Sequence, residues 1–160
     1  MYRDTILKTI SAAAFAIMAG AIGIAAAASA SSAFLGTWVL NVSQSANAAL
    51  TSEAMTITQA ASGGLHVIIE RTGTDGAKDR MEYTTAEDGK TVPVTGNPVV
   101  TAVRVKVIGN SATYSFWSKG KRLRWGALTI SADGKRLAGY ASTALADGKR
   151  VKSTLVFDRR

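Results

Sequence analysis

The side chains that could support catalysis are few in this chain. His66 is the only histidine and there is no cysteine, so neither a nucleophile with a paired base nor a closed zinc site can be assembled. A Ser-x-x-Lys spacing at Ser118 and Lys121 spans a glycine turn, and we interpret it as chance. An enzyme would need a cleft that joins His66 to a carboxylate such as Glu70 or Glu82. The sequence therefore predicts a protein without catalytic residues, metal or cofactor.

Aromatic side chains are the better candidates for a functional site. Five of them are spread over four predicted strands and are candidate ligand-binding residues: Tyr83, Tyr114, Phe116, Trp125 and Tyr140. If their rings face the interior of a barrel, they could line an apolar pocket with hydroxyl groups that orient a small molecule. The alternative is that the same rings fill the interior, because a barrel of about eight strands is either filled or holds one small ligand.

Charge is distributed unevenly along the chain. Residues 31–100 carry four basic and seven acidic side chains, whereas residues 101–160 carry thirteen basic and three acidic ones. A solvated basic surface explains this most simply. Attraction to anionic lipid or polysaccharide of a cell envelope is the alternative. Basic residues near Trp117 and Trp125 are also compatible with single-stranded nucleic acid. However, residues 1–30 have the pattern of an export signal, and an exported protein seldom meets nucleic acid, so no nucleic-acid partner is expected.

Alternating apolar residues and glycine turns predict an all-β chain. Aspartate-glycine pairs at Asp75-Gly76, Asp88-Gly89, Asp133-Gly134 and Asp147-Gly148, with Ser62-Gly63-Gly64, suit tight hairpins between antiparallel strands. About nine strands are predicted, over residues 35–42, 54–59, 65–72, 79–85, 99–108, 111–118, 121–131, 136–142 and 150–158. A meander of that many strands leaves two exposed edges unless it closes, so we predict an antiparallel up-and-down β-barrel of 8–10 strands with little helix.

Two segments lie outside this alternating pattern. Residues 1–30 have Arg3 and Lys8 near the start, an uncharged apolar run, and a small-residue exit at Ala28-Ser29-Ala30. These are the parts of a cleaved signal peptide, which predicts a periplasmic or secreted protein; an uncleaved N-terminal anchor is the alternative. Residues 91–98 contain both prolines and are interpreted as an edge, a corner or a loop at the barrel mouth, with a ligand-gating loop as the functional alternative. Residues 31–160 then form one domain, expected to be a monomer.

The start of the first predicted strand, Phe34-Leu35-Gly36-Thr37-Trp38, resembles the calycin superfamily of lipocalins and fatty-acid-binding proteins. That resemblance implies that Trp38 closes one end of the barrel, that Gly36 belongs to the same closure, and that Arg159 packs on the indole as a basic residue near the end of the chain. It also implies a binding protein for a small hydrophobic or amphipathic ligand.

Further segments are similar to small exported lipocalin-like proteins of bacteria, which are largely uncharacterised. They are Asp88-Gly89-Lys90, residues 93–96, Asp133-Gly134-Lys135 and residues 156–159. Two departures separate the chain from fatty-acid-binding proteins. Residues 43–53 are too few for the two lid helices of that family, and Leu155 and Phe157 stand where the family has its Arg-x-Tyr carboxylate clamp.

Overall fold

A computed structural model describes residues 30–46 and 48–160 of the chain. The predicted signal peptide and the alternative anchor fall almost entirely on residues 1–29, outside the described residues. Within the described part, the only helical segments are two short 3-10 turns, Ala30–Phe34 and Val42–Gln44. No described helix has both the length and the apolar character needed to cross a membrane.

Ten strands make up almost all of the described chain. They are β1 Gly36–Leu40, β2 Leu50–Gln59, β3 Leu65–Gly73, β4 Lys78–Thr85, β5 Asp88–Pro93, β6 Ala102–Ile108, β7 Ser111–Ser118, β8 Lys121–Ile130, β9 Arg136–Ala144 and β10 Arg150–Arg159. In β2, for example, Met55 and Ile57 are buried while Thr56 and Thr58 alternate with them, which is the period-two pattern of a strand with one apolar face.

The strands form one antiparallel sheet that curls into a nearly closed barrel. The order around the sheet is β4-β3-β2-β1-β10-β9-β8-β7-β6-β5, so every neighbour except the β1–β10 pair is also a neighbour in sequence. The gap between the edge strands β4 and β5 is bridged by backbone hydrogen bonds in both directions between Glu82 and Thr95, each 2.9 Å. The predicted up-and-down β-barrel is therefore confirmed.

Aspartate side chains shape three of the hairpins that join these strands. The Oδ1 atoms of Asp75, Asp133 and Asp147 each accept a hydrogen bond from the backbone N–H two residues later, at 3.0, 3.1 and 3.0 Å. The following glycines all have φ between +69° and +81°, the region that glycine occupies without a Cβ penalty. The predicted turns at these positions are confirmed.

The prediction that Asp88-Gly89-Lys90 forms a fourth tight turn is wrong. The chain reverses before it, with Glu87 at φ +63°, and Asp88 already begins strand β5. Gly89 lies in an irregularity of the β5–β6 pairing, between the Asp88–Lys106 and Thr91–Arg104 pairs. Strand β5, missing from the predicted set, ends at Pro93 and is an edge of the sheet, where the lost N–H of proline breaks no ladder.

One end of the barrel is closed by Trp38, which is fully buried. Its Nε1 donates a 2.8 Å hydrogen bond to the carbonyl of Phe34, and the guanidinium carbon of Arg159 lies 4.3 Å from the ring centroid. Arg159 Nη1 also donates to the Leu35 carbonyl at 3.1 Å. Gly36 lies beside this guanidinium and has φ +125°, a backbone conformation that glycine adopts much more readily than residues with a Cβ. These residues form the closed end; the opposite end is the mouth.

The hairpin between β2 and β3 allows a clean test of close packing at the closed end. Gly63 and Gly64 both have positive φ, but a Cβ on Gly63 would meet nothing, whereas one on Gly64 would collide with the carbonyl oxygen of Thr85. We expect Gly63→Ala to cost about 1 kcal/mol from backbone strain alone. Gly64→Ala should cost about 2–4 kcal/mol, because overpacking adds to that strain. Urea unfolding of the two variants measures the difference, and equal losses would contradict the predicted collision.

Candidate functional site

The barrel interior contains a narrow apolar cavity. Its volume is about 70 Å³, so the interior is not completely filled. The cavity is enclosed by inward-facing residues of eight strands. Most of these side chains are aliphatic or aromatic, among them Met55, Ile57, Val67, Ile69, Val105, Leu128 and Leu155. Such a lining favours the apolar part of a small molecule.

Three of the five candidate aromatic residues line this cavity: Tyr83, Tyr114 and Phe116. Phe116 lies between the two tyrosines, with ring centroids 6.4 Å from Tyr83 and 5.6 Å from Tyr114, within the range of favourable edge and tilted contacts. Gly126 makes room for Tyr114, because a Cβ at Gly126 would lie 2.8 Å from its hydroxyl oxygen. Burial raises the pKa of both tyrosines, so their hydroxyls stay protonated.

Trp125 and Tyr140 do not line the cavity, which corrects the prediction for these two. Trp125 pairs in register with Ser115 on β7 and Ser142 on β9, on the outer surface of the barrel. Tyr140 is 42% exposed. Successive strand residues point to opposite faces, and on β8 the inward positions belong to Arg124 and Leu128; Trp125 lies between them in sequence and faces outward.

A row of polar side chains lies above the apolar cavity, on the mouth side. Glu53, Arg71 and Asp79 pair in register across β2, β3 and β4. Arg71 and Asp79 form a two-point ion pair, with Nε–Oδ1 at 3.0 Å and Nη2–Oδ2 at 2.7 Å. This fork-to-fork geometry is the strongest form of an arginine–carboxylate contact.

Arg124 completes this polar layer from the facing strand β8. Glu53 is only 6% exposed; burial raises its pKa, while Arg124 and Arg71 act in the opposite direction. Within the described residues, Glu53 Oε2 and Arg124 Nε are buried without a hydrogen-bond partner. A buried polar atom without a partner costs free energy, so both atoms are prepared to bond with a molecule that enters the cavity. We call Glu53, Arg71, Asp79 and Arg124 the polar layer.

The polar layer separates the cavity from a wider hollow at the mouth. This mouth hollow has a volume of about 700 Å³ and is lined by the β3–β4 and β9–β10 turns, the segment before β2, Val99 and Leu123. Arg71 and Arg124 line both the cavity and the hollow. A molecule with a slender apolar part and a polar head could therefore reach from the hollow into the interior beside these two arginines.

The chemistry suggested by His66 is not at this site. His66 faces outward on β3, where its Nε2 lies 3.3 Å from Glu82 Oε1 and its Nδ1 3.2 Å from Thr84 Oγ1. In the described ranges no three histidine, aspartate or glutamate side chains come together as a metal site. The inward-facing groups of the polar layer can bind a polar head by charge and hydrogen bonds, but they include no nucleophile with a base.

The polar layer was not among the predicted site residues. A signal was present: Glu53 has the same strand parity as Met55 and Ile57, and Arg71 the same parity as Val67 and Ile69. On each strand the next inward-facing position, two residues beyond the last apolar one, is a charged residue inside the barrel. Sequence alone could not identify Arg124 as the facing partner.

No family model and no curated protein matches the chain. Among solved structures, the wild-type fluorescent protein UnaG matches with a TM-score of 0.52 and 16% identity over 81% of this chain and 98% of that chain. An asparagine-to-alanine mutant of UnaG gives a TM-score of 0.52 and 16% identity over 81% and 97%. Zebrafish ileal bile acid-binding protein complexed with cholic acid matches at 0.48 and 13% over 80% and 99%. Neither protein is named as an enzyme. At 16% identity the likeness to UnaG shows the fold alone, a nearly closed antiparallel β-barrel.

Proposed function

We propose that the protein is an exported, lipocalin-like binding protein for a small hydrophobic or amphipathic ligand, and that it catalyses no reaction. The observation that carries the proposal is the apolar cavity, which shares the lining residues Arg71 and Arg124 with the mouth hollow. Tyr83, Tyr114 and Phe116 are the aromatic residues that would contact the ligand. The signal-like residues 1–30 support export to the periplasm or outside the cell, in the manner of the bacterial proteins that the sequence resembles.

The shape and charge of the site restrict the ligand further. About 70 Å³ of free space admits a slender chain rather than a rigid ring system without rearrangement. Arg124 Nε is a donor without a partner, and Glu53 Oε2 is an oxygen without a partner. The polar head of the ligand should therefore accept a hydrogen bond from Arg124 and form a second hydrogen bond with the carboxyl group of Glu53. Arg71 and Arg124 bring two positive charges to this layer, and Asp79 pairs with Arg71. A single-chain molecule with an acidic head fits these conditions.

Binding in the interior can be tested with cis-parinaric acid, a slender acid whose fluorescence rises in apolar surroundings. Ala112 lines the cavity, and Ala112→Phe should fill the space with a phenyl ring. Losing burial of about four methylenes at ~0.8 kcal/mol each would weaken binding roughly 200-fold. Fluorescence titration of wild type and variant measures the change.

Thr113→Phe is the matched control, because Thr113 is the exposed, outward-facing neighbour of Ala112 on the same strand. It should bind the probe as the wild type does, and circular dichroism should show both variants folded. Unchanged probe affinity in Ala112→Phe, or no binding by the wild type, would overturn the proposed interior site.

A further inference from the structure

Large apolar side chains are exposed around the mouth of the barrel. Val99, Leu145 and Val151 are 58%, 43% and 37% exposed, and all three line the mouth hollow. They come from three separate parts of the chain, namely the segment before β6, the β9–β10 turn and the start of β10. Single exposed apolar residues are ordinary on a protein surface, but a group around one opening indicates a contact surface.

Exposed basic side chains lie at the same end of the barrel as this apolar group. Two stretches of sequence bring them to the mouth, the β7–β8 turn with the start of β8 and the β9–β10 turn with the start of β10. The exposed basic residues there are Lys119, Lys121, Arg122, Lys149, Arg150 and Lys152. Within residues 119–122 and 145–152 the only acidic residue is Asp147. We call these six residues, with Val99, Leu145 and Val151, the mouth rim.

Aromatic rings lie directly beside the basic residues. The Trp125 ring has the guanidinium carbon of Arg122 4.1 Å from its centroid and that of Arg150 at 5.3 Å. Tyr140 has Lys152 Nζ 5.1 Å from its ring centroid. Proteins at the boundary between lipid headgroups and acyl chains commonly have tryptophan and tyrosine rings next to arginine and lysine side chains.

We propose that the mouth rim docks the barrel, mouth first, onto an anionic lipid bilayer. The basic side chains would meet the headgroup phosphates, while Val99, Leu145 and Val151 would leave water for the acyl region. An acidic polysaccharide or a nucleic acid would satisfy the charges but would leave these apolar side chains in water. The Trp125 face is already covered by Arg122, which makes it a poor platform for stacking a base or a sugar.

Docking in this orientation would place the mouth hollow against the membrane. A single-chain amphiphile could then pass between the bilayer and the cavity without crossing water. This route rests on the proposed ligand binding, but the docking does not require a ligand. Vesicle binding is therefore measured without one, so that docking and interior binding can fail separately.

Charge reversal tests the electrostatic part of the proposal. The full chain is titrated with vesicles of phosphatidylglycerol and phosphatidylcholine at low and high salt. In Arg122→Glu/Arg150→Glu, a change of four charge units at about fivefold each should weaken binding by at least about 100-fold. Lys135→Glu/Arg160→Glu makes the same change at the closed end and should lose less than fivefold, because charges more than ~8 Å away are screened. Equal losses in the two double variants would overturn the proposed orientation.

Site-specific labelling tests the orientation directly and is independent of residues 1–29. Because the chain has no cysteine, Leu145→Cys and Ala132→Cys each carry one nitrobenzoxadiazole dye, at the mouth rim and in the closed-end β8–β9 turn. Anionic vesicles should shift the emission of the Leu145 label to the blue and raise it several-fold, with no change at position 132. Zwitterionic vesicles should affect neither label. No shift at 145, an equal shift at both positions, or the same shift with soluble polygalacturonate or oligonucleotide would overturn the proposal.

Discussion

Replacing Trp38 with alanine should lower the free energy of unfolding by about 3–5 kcal/mol, the range for large aromatic residues removed from a core. The side chain is fully buried, its Nε1 bonds the Phe34 carbonyl, and its ring lies under the Arg159 guanidinium. Alanine would lose all three interactions and leave a cavity at the closed end. For a domain of this size the melting temperature should fall by roughly 10–20 °C. Urea unfolding followed by far-ultraviolet circular dichroism measures the change without relying on tryptophan fluorescence.

Trp117→Ala provides the control for this large effect. Trp117 also contacts an arginine, with the guanidinium carbon of Arg104 4.7 Å from its centroid, and its Nε1 donates to Ser115 at 2.8 Å. It is only partly buried on the outer face, so its removal leaves no internal cavity and should cost about 1–1.5 kcal/mol. If the two variants unfold within 1 kcal/mol of each other, Trp38 does not close the barrel in the way described here.

The hairpin sequences explain how much of the fold could be predicted. Asp133-Gly134 and Asp147-Gly148 each combine a side-chain acceptor for a nearby N–H with a residue that accepts positive φ, so the turn is determined locally. Asp88-Gly89-Lys90 has the same residues, yet the reversal occurs at Glu87. The difference is tertiary: Val107 N–H donates to the Glu87 carbonyl across the sheet, a contact that no local pattern reveals.

The direction of the aromatic rings on β8 could not be predicted for a different reason. Leu123, Trp125 and Ala127 form one apolar set on this strand, and Leu128 and Ile130 form another of opposite parity. The two-residue alternation of a strand does not decide which of the two sets faces the interior. The structure buries Leu128 and Ile130, so Arg124 faces inward with them and Trp125 faces outward.

Removing Arg71 should have the second large effect on stability. Arg71 lies between Glu53 and Asp79 in the register of the sheet, and its side chain is only 15% exposed. Arg71→Leu would leave Glu53 and Asp79, on the two strands that flank β3, without the cation between them. Loss of one partner from a buried ion pair costs about 3–5 kcal/mol; because Asp79 is 39% exposed, we expect about 2–4 kcal/mol at pH 7.

The pH dependence of this loss follows from Glu53. Burial already raises its pKa above the ordinary value of 4.5, and Arg71 opposes that rise, so Arg71→Leu raises it further. Above pH 4.5 the folded variant therefore holds more protons than the unfolded chain, and its unfolding free energy falls as the pH rises through the folded-state pKa. The deficit relative to wild type should be largest at pH 7 and should shrink as the pH is lowered towards 4.5.

Arg80→Leu distinguishes this mechanism from the general loss of an arginine on the same sheet. Arg80 is on the outer face of β4, 45% exposed, with Nη2 2.7 Å from Glu82 Oε2, so its removal should cost no more than about 1 kcal/mol. The stability deficit of Arg80→Leu should not vary with pH through Glu53. In the Arg71→Leu background, adding Glu53→Gln should restore stability at pH 7 but not at pH 4.5. A deficit in Arg71→Leu that stays constant between pH 4.5 and 7 would mean that the polar layer is not held together by the charge of Arg71.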